Sequence, residues 1–189
     1  MKLLYHFSTS TLTNVYVVGP DGGGDAIIVD PGVFDVTLLE MVEHEGYYIR
    51  SILVTHEAKS DLRGISTILR IYDADIYASN PEVFEHPAKP VAGVKSFSAS
   101  GMEVKPIRLP GYWSDALVYH VGEFLFVGKV LSAGMLGDTI NAYSRALLKS
   151  DLRELIFPLP GNLLVLPTEG PPSTLEVEVL TNIDMNRTI

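Results

Sequence analysis

The chain has no cysteine among its 189 residues. Disulfides, thiolate zinc sites and a cysteine nucleophile are excluded at once. Long apolar runs are missing too: no stretch approaches the ~18 residues needed to span a bilayer. The N-terminal MKLLYHFSTSTLTN also lacks the apolar core of a secretory signal. Basic charge is scarce, with 14 Lys and Arg against 23 Asp and Glu, a net charge of −9. Such a chain repels phosphate backbones, so neither nucleic acid nor a membrane is the expected partner. No repeat of fixed period and no low-complexity tract is present. A soluble, cytoplasmic protein is the expectation.

Hydrophobic residues make up 47% of the chain and charged residues 20%, an ordered globular composition. The length fits a single domain over residues 1–189, burying roughly 70% of its unfolded surface. Leu3 to Phe7 is a short apolar run. Asn14 to Val18 and Ala26 to Val29 are strand-like and flank a Gly-rich turn, which predicts a hairpin. A strand rather than a helix follows those glycines, so they do not form a phosphate cradle. Val36 to Gly46 has helical spacing, Ser51 to Thr55 reads as a buried strand, and Ile65 to Tyr72 as a helix. With a strand at Asp75 to Ala78, the order is β-β-α-β-α-β, an α/β signature.

Asn80 to Ser100 carries three prolines and reads as loop with short elements. Val104 to Leu109 alternates as a strand. A second hairpin is predicted from Ala116 to Val121 and Glu123 to Val127, turning at Gly122. Ser144 to Leu155 reads as a helix presenting Leu147, Leu148, Leu152 and Leu155 on one face. Leu163 to Leu166 is a buried strand, and from Pro171 a short tail follows. Two hairpin-led halves point to two facing sheets.

Several segments then fall in a recognisable order: Asp30-Pro31-Gly32, THEAKSDLRGISTIL from Thr55, LPGYWSDALVYH, FLFVGKVLSAG and LLVLPTEGPPSTL. This series resembles the metallo-β-lactamase fold, in its compact glyoxalase II-like branch. That branch reads THxHxDHIGG, PGHTPGS, LFTGD and VLPGHGPPTT in the same order. The resemblance implies an α/β protein (α+β in some schemes): a four-layer αββα sandwich of two mixed β-sheets flanked by helices. It also implies a cleft closed by the hairpin loop at Gly22 to Gly24 and by the Asn80 to Ser100 segment. Larger members add a helical C-terminal domain that binds glutathione thioesters; the chain stops about fifteen residues after Thr174, so that domain is not expected.

The family's hydrolases hold two metal ions, whose bridging hydroxide attacks the substrate. Such chemistry needs several deprotonated imidazole and carboxylate ligands. Here the resemblance implies a degenerate site. His56 keeps the first ligand position of the His-x-His-x-Asp-His motif. The next positions hold Ala58, Ser60 and Asp61; a one-residue slip instead sets Asp61 on the motif's Asp and Leu62 on its last His. Tyr112, Lys129 and Glu169 stand where three further ligands belong. An ammonium beside a dication costs several kcal/mol even at an effective dielectric of ~20. Lys129 and a bridged metal pair are therefore close to mutually exclusive. In a metal-free cleft, Lys129 is expected to pair with Asp61 and Glu169.

The leading expectation is a non-catalytic binder, a pseudoenzyme whose former active-site cleft takes a small molecule or a protein. Its ligand-binding residues would be Tyr112, Lys129, Glu169 and Arg63, an arrangement able to hold an anion, with no cofactor. The alternative is a hydrolase of ester, thioester or phosphodiester substrates, with catalytic candidates His56, Asp61 and Lys129. One form uses a single zinc, iron or manganese ion on His56, Asp61 and Glu169. A metal-free form uses Lys129 as base or Tyr112 as acid. A mainly structural role, for instance as a homodimer, is the third reading. Asp30 is expected to support its loop, Tyr112 and Trp113 to pack at the rim, and Asp138 to serve a turn. His6, His44, His86 and His120 match no ligand position.

Overall fold

The structure is a computed structural model that describes residues 1–58 and 62–186. In chain order its elements are β1 (Lys2–Ser8), β2 (Thr13–Gly19), β3 (Gly24–Val29), α1 (Val36–His44), β4 (Tyr47–Leu53), α2 (Ile65–Ile71) and β5 (Asp75–Ala78). Four short strands follow: β6 (Glu82–Val83), β7 (His86–Pro87), β8 (Lys89–Pro90) and β9 (Phe97–Ala99). The second half contains β10 (Met102–Arg108), β11 (Leu117–Val121), β12 (Phe124–Gly128), β13 (Leu131–Ser132), β14 (Met135–Leu136) and α3 (Ala142–Asp151). A π turn (Leu152–Ile156), β15 (Leu164–Pro167), β16 (Ser173–Thr174), α4 (Leu175–Thr181) and α5 (Ile183–Asn186) complete it.

Two six-stranded sheets form, in the orders β1-β2-β3-β4-β5-β8 and β16-β15-β12-β11-β10-β9. Both are mixed. β3, β4, β5 and β8 run parallel, as do β12 and β15, while the other pairings are antiparallel. The alternation within the strands explains the layering. Val15 and Val17 of β2 face α1 and α2, packing with Leu38, Val42, Ile65 and Ile68. Tyr16 and Val18 face the other way, meeting Tyr119 and Phe126 between the sheets. Leu125 and Val127 of β12 face Leu148, Leu152 and Ile156 on the far side. β2 is buried along its whole length because it has a layer on each face. The result is the expected four-layer α/β sandwich. Among the described residues, no helix is long and apolar enough to cross a membrane.

Several elements depart from the sequence reading. β4 spans Tyr47–Leu53, not Ser51 to Thr55. The ladder to β3 shifts at Arg50, so that Ile49 pairs with Ala26 but Ser51 with Ile27. One extra residue breaks the strict alternation that would have revealed the strand's first half. The helical face after Asn141 also differs. Leu148, Leu152 and Ile156 are buried, whereas Leu147 and Leu155 are 38% and 42% exposed. The π turn at Leu152–Ile156 widens the last turn and moves Ile156 onto the buried stripe. The tail after Pro171 contains two helices. Thr174 caps α4 by accepting from the Val177 N–H, and Asp184 in α5 accepts from the Leu136 N–H at 2.9 Å and pairs with Arg145 at 2.7 Å. Finally, the Gly22 to Gly24 loop lies at the wrong end to close a cleft at the strand C-termini. Gly24 donates to the Gly46 carbonyl beside the start of β4.

The buried stripe on α3 makes a simple comparison. Leu148→Ala should lower the unfolding free energy by about 2–5 kcal/mol, and Leu147→Ala by less than about 1 kcal/mol. Urea unfolding monitored by circular dichroism distinguishes them; equal losses would contradict the observed face.

Candidate functional site

The C-terminal ends of β3, β4, β12 and β15 converge at one edge of the sandwich, where open α/β sheets place their ligand crevices. Beneath that edge lies Asp30, 2% exposed and at φ +44°, a conformation that a non-glycine residue adopts at a cost. Its carboxylate accepts from the Thr55 N–H at 2.8 Å, the Thr55 hydroxyl at 2.6 Å and the Thr168 hydroxyl at 2.8 Å. Burial pushes the carboxyl above the usual range, while nearby His56 and the three donors oppose the shift. With Asp30 ionised, Thr55 gives it the hydroxyl proton. The same oxygen lies 2.8 Å from His56 Nδ1 and must then accept Nδ1–H, leaving the ring lone pair on Nε2.

Lys129 enters the site through Gly128, which has φ +58°. A Cβ there would stand 2.5 Å from the Thr55 hydroxyl oxygen, so only glycine carries the chain past the Asp30 cluster. The Thr168 N–H donates to the Gly128 carbonyl at 2.8 Å, joining the ends of β12 and β15. The Lys129 ammonium then sits 2.8 Å from Glu169 Oε1, with the lysine side chain 27% exposed and the glutamate 53%. Tyr112 donates its hydroxyl to the Lys129 carbonyl at 3.3 Å, and its ring meets that of Trp113 edge-on, with centroids 6.2 Å apart. Burial pushes the Tyr112 phenol up, as do Asp138 and Glu169, against Lys129. Gly137 permits this contact, since a Cβ there would overlap the Lys129 carbonyl oxygen.

Beside the Asp30 cluster opens a cleft of about 460 Å³. His56, Tyr112, Lys129 and Glu169 all reach it, together with Trp113 and Asp138. Asp61 and Ser60 lie outside the described residues. Arg63 is not in the cleft. It lines a separate depression with Ser66, Phe84 and His86, because the chain turns into α2 directly after it. The expectation of Arg63 as a cleft ligand is corrected accordingly. Asn80, at the start of the predicted closing segment, touches the rim by donating its amide to Glu57 at 2.7 Å. The sequence reading missed Glu57, Asp115, Ser132 and Met135 as further wall residues. Only Asp115, two residues after Trp113, had a local signal; Ser132 and Met135 arrive through the small β13–β14 hairpin. The other histidines have local roles: His6 approaches Asp35 at 3.3 Å, His86 bonds Ser66, and His120 bonds the Gly122 carbonyl.

The fold family implies a metal pair, and the donor set among the described residues does not fit one. Among the described residues no group of three or more His, Asp and Glu is placed to hold a metal ion. Ala58, on the cleft wall, offers no donor, and Lys129 supplies a cation.

No protein-family model matches the sequence. Similar sequences include proteins named hydroxyacylglutathione hydrolase. One, from Methylobacillus flagellatus, is 28% identical over 110 residues, covering 57% of this chain and 44% of that protein. Another, from Dechloromonas aromatica, is 28% identical over 146 residues, covering 76% and 53%. The chain thus spans about half the length of the curated relatives it matches. Among solved structures, the BLEG-1 B3 metallo-β-lactamase superposes with a TM-score of 0.86 at 21% identity, over 98% of this chain and all of the other. ETHE1 from Myxococcus xanthus gives 0.84 at 21% identity, over 100% and 86%. TTHA1623, solved in a di-iron-bound form, gives 0.78 at 21% identity, over 95% and 98%. The chain has the metallo-β-lactamase fold. Within it, the sequence relatives agree with the glyoxalase II-like branch that the motif order resembles.

The Asp30 cluster makes a stability prediction. Asp30→Ala strands two hydroxyls and an N–H in the interior, and should cost about 3–5 kcal/mol in urea unfolding. A loss under about 1 kcal/mol would mean that the cluster does not join the two sheets.

Proposed function

We propose that this chain is a non-catalytic metallo-β-lactamase-fold protein whose former active-site cleft binds a small molecule. The ion pair of Lys129 with Glu169 carries this reading. It occupies two positions where the resemblance expects metal ligands, and its fixed cation does electrostatically what a bound ion would do for the carboxylate. Ala58 supports the reading, since ligation cannot be restored there by a side-chain movement. The cleft volume lies within the usual range for small-molecule sites. Tyr112, Lys129 and Glu169 would frame the ligand, with no metal needed to hold the walls.

A second reading is favoured by the names of the sequence relatives and by the hydrogen-bonded orientation of His56. It is a hydrolase of ester, thioester or phosphodiester substrates, acting through an altered site that holds one ion or none. His56 would then present Nε2 as a base or a ligand.

Metal analysis by plasma mass spectrometry, on untagged protein purified without chelator, separates the two. The expected result is well below one zinc, iron or manganese per chain, a melting temperature unmoved by EDTA, and no turnover of a hydroxyacylglutathione thioester. Lys129→Ala should lower the unfolding free energy by about 1 kcal/mol, a modest figure because the pair is half open to solvent. Near-stoichiometric metal together with turnover would overturn the proposal in favour of the hydrolase.

A further inference from the structure

The charge and the walls of the cleft narrow the class of ligand; the argument rests on the small-molecule reading above. Its described acidic wall residues are Glu57, Asp115, Asp138 and Glu169, and Lys129 is the described Lys or Arg among them. Glu169 lies against Lys129 at 2.8 Å, so that pair contributes no net charge. The other three acids form no ion pair with a described residue. Asp115 accepts the Glu57 N–H at 2.7 Å, and Glu57 accepts from the Asn80 amide at 2.7 Å. Those hydrogen bonds orient two carboxylates without neutralising them. Arg63, expected as a second cation for anion capture, lines a separate depression.

The remaining wall is aromatic and apolar. Trp113 is 47% exposed, with its ring set edge-on to Tyr112, and Met135 is 54% exposed. Aromatic faces beside carboxylates attract ammonium groups, and the thioether suits an apolar body. An anion would instead meet three carboxylates that pair with no described cation, and would have to compete with Glu169 for Lys129. We propose that the cleft takes an organic cation: an amine or quaternary ammonium group carried on an apolar body, held between Trp113 and the carboxylates of Asp115 and Asp138.

Trp113 is the sole tryptophan of the chain, so its emission reports on the cleft directly. The test titrates benzyltrimethylammonium, benzoate and benzyl alcohol, as cationic, anionic and neutral probes of similar size, each up to about 10 mM. The expected result is a saturable change with the cation alone. Its dissociation constant should rise about three- to fivefold in Asp138→Asn, a variant checked for an unchanged melt. Benzoate or benzyl alcohol binding as tightly as the cation would overturn the cation inference but leave small-molecule binding standing. An unchanged constant in Asp138→Asn would also overturn it, by placing the cation elsewhere. No saturable response to any probe would overturn both this inference and the binding reading on which it rests.

Discussion

Two loops from one sheet and one from the other meet on the carboxylate of Asp30. Thr55 follows β4, Thr168 follows β15, and Asp30 itself ends β3, so one buried acid fixes the relative height of both sheets at the cleft edge. An isolated carboxylate in an apolar interior is costly, and three donors offset that cost only while all three keep their geometry. The rest of the edge follows from this requirement. Gly128 must lack a side chain because Thr55 has to stay where Asp30 holds it. His56 is positioned by its 2.8 Å contact between Nδ1 and the Thr55 hydroxyl, and with Asp30 ionised that hydroxyl gives its proton to the carboxylate. Asn14 extends the same tie by donating to the carbonyls of Pro167 and Gly170, and Tyr16 donates to Pro167 as well.

An arrangement of this kind does not depend on what occupies the cleft above it. A metal pair and an internal ion pair make different demands, however. A metal needs several converging donors at fixed distances, whereas a lysine ammonium needs only a nearby carboxylate and tolerates water around the remainder. Lys129 and Glu169 meet that weaker demand from two adjacent strand ends, which the backbone bond from Thr168 to Gly128 already holds together. Lys129 and Glu169 at these positions leave the layers of the fold undisturbed. This is consistent with close superposition on metallo-β-lactamase-fold structures at about one-fifth identity.

Much of the framework was legible because the two periods of regular structure are distinct. The β-branched and aromatic run from Asn14 to Val18 and the hairpin around Gly122 correspond to β2 and to the β11–β12 pair. The convergence of His56, Tyr112, Lys129 and Glu169 on one cleft came from motif order, since no local pattern relates residues so far apart in the chain. Where the reading failed, a local irregularity was responsible. One extra residue at Arg50 masks the first half of β4, and a widened turn after Asp151 changes which leucines are buried. Arg63 is close to His56 in sequence, yet the turn into α2 carries it to another depression. The helix at Leu175–Thr181 is hard to see because EVEV reads as a strand. Burial of Glu178, which accepts from Ser173, Asn182 and the Gly134 N–H, shows that tertiary contacts decide its form.

The way the walls are held bears on how the cleft can bind. Ser132 donates to the Glu169 carbonyl, Tyr112 donates to that of Lys129, and the Gly111 N–H donates to Asp151 at the end of α3. Each contact ties a cleft loop to a neighbouring loop or to the helical layer, so the loops are ordered before any ligand arrives. Binding to such a site does not incur the cost of fixing loose segments, and a small contact surface then suffices for measurable affinity. In a metal-dependent relative the ions themselves can draw their ligand loops together. Here hydrogen bonds and the pair of Lys129 with Glu169 hold the described wall residues, and Glu57, Asp115 and Asp138, which pair with no described cation, add negative charge to the cleft.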